Sequence, residues 1–289
     1  GSNGDTITTG DGADIITGGD GADTLDGGAG NDTIVITALS DLTDGSNAVE
    51  DTIDGGADTD TIAFNGGVTL AAADDFTNKV SNVESLSANG AQATAISIST
   101  HATFVSDTSI ATIDLSGDTN VLGANVINIS AQTTTTAMTL RGSAGQDTIT
   151  LDAGSVDTIN LNGDIGSAVT FAAADIITGF VSGTDKLKLV AGDVDGSGGN
   201  DNYVEVADAD YDTFAAVLTA GNGALATLAA ASTATKLIAV VSDATDADTG
   251  EVAQGAHVFL DTDGDGAADE VFILSGLAAA TIAVGDFIA

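Results

Sequence analysis

The sequence contains no cysteine, which removes disulfide staples, thiolate metal sites and a cysteine nucleophile together, and is compatible with an exported protein that does without disulfides. Proline is absent too, as suits uninterrupted ladders in which every backbone N–H is needed. There is no tryptophan, and aromatic residues make up only 4% of a chain that is 43% hydrophobic. A core here must come from small and β-branched side chains, which thin stacked coils use better than a globular interior does. Bases are scarce as well: Lys79, Arg141, Lys186, Lys188 and Lys236 stand against 43 acids, for a net charge of −38. Five scattered cations make no basic patch, so no nucleic acid partner is expected.

Other absences narrow the chemistry. No apolar run is long enough to span a bilayer. There is no His-Glu-x-x-His zinc motif and no G-x-S-x-G elbow, so the chain is not expected to be an enzyme. His101 lies in a Ser/Thr-rich stretch and His257 precedes a predicted strand; both read as surface or strand residues. Gly1-Ser2 reads as a cloning scar, so the lack of a signal peptide carries no information. A compact state with so much negative charge repels itself unless counter-ions hold it. Hard oxygen ligands with only two histidines favour calcium over zinc or copper. Acid-rich chains are commonly disordered, but these acids are spaced regularly among Ile, Leu and Val rather than in blocks. Order is expected with calcium bound and disorder without it.

What is present is a repeat. Asp5, Asp14, Asp23 and Asp32 fall nine residues apart, as do Ile7, Ile16, Leu25 and Ile34. The complete units are GGDGADTLD (Gly18 to Asp26) and GGAGNDTIV (Gly27 to Val35). After a looser stretch, Ile36 to Glu50, read as a loop or bulged coil, the period returns in Asp51-Thr52-Ile53 and Asp60-Thr61-Ile62. Between them stands Gly55-Gly56-Ala57-Asp58; Asp58 replaces a motif glycine and predicts either a distorted turn or an extra ligand. Glycine permits a positive-φ turn that brings carbonyl oxygens near an ion. The aspartate adds carboxylate oxygen, and the aliphatic residue points inward.

From about 67 to 190 glycines thin out, but alternating apolar pairs continue: Ile96/Ile98, Ile113/Leu115, Ile127/Ile129, Met138/Leu140, Ile149/Leu151 and Ile159/Leu161. Alternation of period two marks strands, and the spacing suits successive solenoid coils with Thr, Ser and Asn ladders between them. A β-sandwich is the alternative. Gly142 to Thr150 is one more nonapeptide with Ser143 at the second glycine. In the final hundred residues, Asp212 to about Ser232 reads as two short helices interrupted at Gly221-Asn222-Gly223, followed by strands at Leu237–Val241, Ala256–Leu260 and Glu270–Leu274. Such an atypical end covers the last coil of a solenoid. Asp261, Asp263, Asp265 and Asp269 with Gly266 match the opening of an EF-hand loop. Phe272 stands where that loop needs a glutamate, so a calcium site and an acidic β-turn are both open. Asp193 to Asp201 is a weaker candidate of the same kind.

The nonapeptide G-G-x-G-x-D-x-U-x resembles the repeat of the RTX family, bacterial proteins exported by type I secretion systems and folded outside the cell by calcium. Asp175 to Leu189 is similar to the segment that ends RTX rolls, with Gly179 where the family usually carries an acid. Val284-Gly-Asp286-Phe-Ile-Ala289 resembles the hydrophobic ending of an uncleaved type I signal. The resemblance implies an all-β fold: a calcium-bound parallel β-roll or β-helix solenoid with a small mixed α/β C-terminal cap. Two units would make a coil, with each ion between turns one coil apart, so that Asp5 pairs with Asp23 and Asp14 with Asp32. The implied divisions are a β-roll over 3–66, an irregular β-solenoid ending in a further RTX-like segment over 67–190, and a cap with the secretion signal over 191–289. The implied calcium ligands are Asp5, Asp11, Asp14, Asp20, Asp23, Asp32, Asp51, Asp58 and Asp60, with Gly10, Gly12, Gly19, Gly21, Gly28 and Gly30 shaping the turns. Further candidates are Asp147, Asp157 and Asp185, and Asp261, Asp263, Asp265 and Asp269. The degenerate Thr/Ser/Asn/Ala-rich coils, with phrases such as Ser81-Asn-Val-Glu-Ser-Leu86, look like those of RTX S-layer proteins. That resemblance implies a structural surface-layer protein whose partners are copies of itself, the type I secretion machinery and, through calcium, cell-surface polysaccharide. A secretion and folding module of an RTX adhesin or hydrolase is the second reading. A β-helix polysaccharide lyase is the third, and would need a cluster of bases that five scattered ones hardly supply.

Overall fold

The computed structural model describes residues 1–43, 49–74, 76–120, 124–161, 169–170, 173–189, 203–209, 211, 213–232, 237–243, 255–277 and 282–288. The candidate at Asp193 to Asp201 lies outside them. Short strands follow one another along the chain. They are β1 (Thr6–Thr8), β2 (Ile15–Ile16), β3 (Thr24–Asp26), β4 (Thr33–Ile36), β5 (Thr52–Asp54), β6 (Thr61–Phe64), β7 (Thr69–Leu70) and β8 (Val80–Ser81). Next come β9 (Ser85–Ala88), β10 (Ser97–Ser99), β11 (Thr112–Asp114), β12 (Val126–Asn128), β13 (Thr139–Arg141), β14 (Thr148–Thr150), β15 (Thr158–Asn160), β16 (Asp175–Thr178) and β17 (Lys186–Lys188).

These strands pair in parallel, each with a strand one coil away. One sheet runs β1-β3-β5-β8 and a second runs β2-β4-β6-β9-β11-β13-β15-β17. A third begins at β7 and continues β10-β12-β14-β16. The chain thus winds through two faces at first, through three from β5 to β10, and through two again afterwards. Parallel pairing of this kind is a solenoid and replaces the sandwich alternative. It also corrects the spacing of the apolar pairs. Ile98 pairs with Ile127 and Ile113 with Leu140, so successive pairs sit on different sheets and each is part of a coil, not a whole one.

Inward aliphatics stack in register. One column is Ile16, Ile34, Ile62, Leu86, Ile113, Leu140, Ile159 and Leu187; all are buried. Burying such a side chain fully contributes about 1.5–3 kcal/mol, and the β-branched ones fit the pleat. Outward positions carry Thr33, Thr61, Ser85, Thr112, Thr139 and Thr158 in the same register, and the Thr61 and Ser85 hydroxyls meet at 2.7 Å. The stretch after β4 is a 3-10 turn (Leu39–Asp41) with an isolated antiparallel bridge from Thr43 to Val49, in keeping with the expected loop.

The end differs. Strand β18 (Tyr203–Ala209) pairs in parallel with β19 (Leu237–Asp243), which runs antiparallel to β20 (Gly255–Asp261), and β20 antiparallel to β21 (Glu270–Ser275). Strand β21 then joins β16 in parallel, so the mixed cap sheet is continuous with the third solenoid sheet. Strand β22 (Phe287–Ile288) closes the second sheet by pairing with β17. A short helix, α1 (Phe104–Thr108), lies beside Phe76 and His101. Where two short helices were expected there is one, α2 (Phe214–Ala231), running through Gly221. A Cβ on Gly221 would lie 2.6 Å from the Phe259 ring, so this glycine allows the helix against β20 rather than breaking it. His257 lies inside β20, not before it. It is fully buried against Phe214 and Phe259, and burial lowers its pKa to about 4.

Candidate metal centre

The turns stack as closely as the strands. Ala29 bridges Asp11 on one side and Ala57 on the other, with Ala29 N–H donating to Gly10 O at 3.1 Å and Ala57 N–H to Gly28 O at 2.8 Å. A Cβ on Gly30 would lie 2.4 Å from Gly12 O. Gly12, Gly21 and Gly30 have φ of 118°, 114° and 117°. Asp58, at the equivalent place, adopts φ 82° and keeps the Ala29–Ala57 bridge. The turn is therefore not distorted, because aspartate is among the residues that tolerate the left-handed region. The Asp58, Asp11 and Asp20 side chains are exposed on the outside of their turns.

The repeat aspartates form ladders. Asp23 Oδ1 accepts the Asp5 N–H at 2.7 Å, and Asp51 Oδ1 accepts the Asp23 N–H at 2.8 Å. Along the neighbouring edge, Asp32 Oδ1 accepts from Asp14 N–H at 2.8 Å, Asp60 Oδ1 from Asp32 N–H at 2.7 Å, and Glu84 Oε2 from Asp60 N–H at 2.7 Å. The expected pairs Asp5/Asp23 and Asp14/Asp32 are thus consecutive rungs. Each rung uses one carboxylate oxygen. The other, Oδ2 of Asp23, Asp32, Asp51 and Asp60, is buried without a hydrogen-bond partner, and the four residues are 0–1% exposed.

A buried carboxylate oxygen left unpaired is strongly unfavourable unless it neutralises or meets a cation. Burial pushes Asp51 up to about 6, and burial likewise raises Asp60. The unpaired oxygens face the glycine turns: a Cβ on Gly18, Gly27 or Gly55 would fall 2.1, 2.4 or 2.6 Å from Oδ2 of Asp23, Asp32 or Asp60. Carboxylate and backbone oxygen around a space kept free of side chains is a donor set that suits a hard divalent cation. The residues fit calcium.

Downstream, the ladder persists while its second oxygen changes hands. Asp147 accepts the Asn125 N–H at 2.9 Å on Oδ1, and its Oδ2 accepts the Ser143 N–H. Asp185 accepts the Asp157 N–H at 3.0 Å on Oδ1 and the Val181 N–H at 2.8 Å on Oδ2. Asp118 Oδ2 accepts from Asn125 Nδ2 at 3.1 Å. These carboxylates are satisfied within the protein. Asp157 is not: Oδ1 accepts the Met138 N–H at 2.9 Å, but Oδ2 is unpartnered. Burial raises Asp185, and raises Asp147 and Asp157 to about 6. Gly179, where the family carries an acid, has φ 86° and would place a Cβ 2.9 Å from Leu151 O; it serves a close approach.

Sequence reading missed Glu84, Asn125 and Asp175, which are rungs of the same kind; Asp175 Oδ1 accepts the Asp147 N–H at 2.7 Å. A signal was available. Each rung residue, from Asp23 before Leu25 to Asp185 before Leu187, stands two places ahead of an inward aliphatic.

The cap loop brings Asp261, Asp263 and Asp265 together, with one ligand atom of each within 4.8 Å of the others. Asp261 accepts the Gly264 N–H at 2.6 Å and the Gly266 N–H at 2.8 Å. Asp269 instead closes the loop, accepting from Thr262 N–H and Oγ1 at 2.7 Å each.

The sequence model of the RTX calcium-binding nonapeptide repeat matches in four copies, over residues 1–34, 50–68 and 139–164. The chain carries RTX calcium-binding repeats. No curated protein and no solved structure matches it. RTX nonapeptide repeats bind calcium ions, and they are structural elements rather than catalytic ones. Among the described residues, the buried aspartate oxygens without a partner, those of Asp23, Asp32, Asp51, Asp60 and Asp157, all fall within the RTX matches. RTX-repeat proteins are generally secreted by type I systems.

Proposed function

We propose that this RTX chain is a structural component of a bacterial surface layer, secreted by a type I system and folded and assembled outside the cell as calcium binds. Four buried, unpaired carboxylate oxygens, three of them set against glycine turns, carry the reading. Asp23, Asp32, Asp51 and Asp60 would hold the ions, with Asp5 and Asp14 completing the first rungs and the turn glycines supplying carbonyl oxygen. Calcium would supply the positive charge that a −38 chain lacks. At free calcium about 100 times its dissociation constant, one site adds roughly 2.7 kcal/mol. Several sites approach the whole stability of a typical domain. The long Thr/Ser rows outside and the scarcity of bases suit a lattice element that self-associates and meets surface polysaccharide through calcium. The divisions at 66 and 190 and a secretion signal at the C-terminal end belong to the same reading, as does a further calcium in the Asp261–Asp265 loop.

Adding calcium to metal-stripped protein and imaging the product tests this directly. Two-dimensional sheets that dissolve in chelator are expected. A monodisperse calcium-bound monomer would instead favour the second reading, a secretion and folding module of an adhesin or hydrolase, which the repeats support equally. An assembly indifferent to chelator would exclude the coat.

A further inference from the structure

Among the downstream coils one turn departs from both patterns described above. Asp157 occupies a rung, yet the residue five places ahead of it, where Asp23, Asp32 and Asp60 have a glycine, is Asp152. In the glycine turns a side chain at that place would point straight onto the unpaired oxygen. Here a carboxylate stands there. Asp152 is 4% exposed, Ser155 3% and Asp157 0%.

The hydrogen bonds around them fall short by one proton. Asp152 Oδ1 accepts the Gly154 N–H at 2.5 Å and the Ser155 N–H at 2.9 Å. Ser155 Oγ lies 2.7 Å from Asp152 Oδ2 and 2.8 Å from Asp157 Oδ1. A serine hydroxyl has one hydrogen to give, so it serves one of the two carboxylates at a time. Asp157 Oδ2 meanwhile has no partner at all. Two buried carboxylates joined through a single hydroxyl, with one oxygen wholly unpaired, are strongly unfavourable unless they take up a proton or meet a cation.

We propose that Asp152 and Asp157 hold a divalent cation by side-chain carboxylates, at a turn that has lost the glycines of the repeat. The site stands apart from the N-terminal row, and it rests on the reading that this chain folds by binding calcium. Asp152 replaces the open glycine position with a second carboxylate, and Ser155 links the two. The neighbouring Asp185 is not part of it, because both its oxygens accept backbone N–H groups.

The full chain, stripped of metal and equilibrated with calcium, is assayed for bound calcium per molecule by atomic emission, with circular dichroism as the check on folding. Asp152→Asn is expected to carry one ion fewer than the wild type with an unchanged spectrum. An unaltered ion count in Asp152→Asn overturns the proposal while leaving the N-terminal sites standing. If that variant does not fold, Asp152→Ser is read in the same assay; its hydroxyl still accepts from the turn amides, and the same loss or retention decides. A wild-type chain that binds no calcium overturns this site and the parent reading together, and Asp23→Asn shows in parallel that the count registers loss of an N-terminal site.

Discussion

The N-terminal coils and those downstream of Glu84 use one ladder with two endings. In both, a backbone N–H of one coil donates to a carboxylate or amide oxygen on the next. In the first region the remaining oxygen is left unpaired, beside a glycine at Asp23, Asp32 and Asp60; in the second, Ser143, Val181 or Asn125 donates to that of Asp147, Asp185 or Asp118, while Asp157 keeps an unpaired one. A solenoid can thus be held by the same rung with or without an ion. Which applies is decided by whether the turn ahead offers an N–H or an empty cradle.

The largest expected effect breaks the comparison along the chain. In chelator, amides of β1 to β6 should lose hydrogen-exchange protection while those of β12 to β17 keep it, apart from the neighbourhood of Asp157. Uniform loss over both regions would show that the two endings are energetically alike. That outcome is the one expected from charge and composition alone, which predict disorder throughout the calcium-free chain.

Single rungs should separate the regions next. Asp32→Asn should lower calcium-loaded stability by about the 2.7 kcal/mol of one well-filled site, with little change in chelator. Asp185→Asn should cost about 1–3 kcal/mol whether calcium is present or not, since it disturbs a buried hydrogen-bonded group. Urea midpoints with and without calcium measure both.

Proton competition is a smaller effect with a definite sign. Burial raises Asp51, Asp147 and Asp157 to about 6 from 3.8, so the metal-free folded chain binds more protons than the unfolded one between those values. Its stability should therefore fall as pH rises from about 4 to 6 and level off above. Calcium affinity should run the other way, weakening as pH drops through 6. Urea midpoints of metal-stripped protein at pH 5 and 7 check the first part; a higher midpoint at pH 7 would contradict it.

The cap bears least on the comparison, because its effects are independent of calcium. Gly221→Ala forces a methyl into the Phe259 ring and should cost about 1–3 kcal/mol. Asn222→Ala removes the bond from Ala268 N–H to its side chain, 2.9 Å long, for about 1 kcal/mol. Thermal melts should rank them in that order, independently of calcium.

Much of this was legible. The nine-residue period fixes a turn, a carboxylate and an inward aliphatic, and the structure stacks them as that period implies. The strands expected at Leu237–Val241, Ala256–Leu260 and Glu270–Leu274 also form, each at those residues or one to two longer. Two things were hidden. Sheet membership depends on how far the chain travels between pairs, and the pairs alone do not say that Ile98 and Ile113 sit on different faces. The rung at Glu84 lacks the flanking glycines that make the others visible, and at Asn125 an amide stands where the repeat has a carboxylate. Gly221 misled for a related reason: local propensity reads glycine as a break, whereas the ring of Phe259 made it a requirement.

The rung from Asp5 to Asp23 spans 18 residues, and every rung hands its proton in the same sense. A block of two repeats therefore has matching front and back surfaces. Adding or removing one such 18-residue block would leave the direction of the ladder unchanged on either side, so the N-terminal stack is built to change length in whole coils.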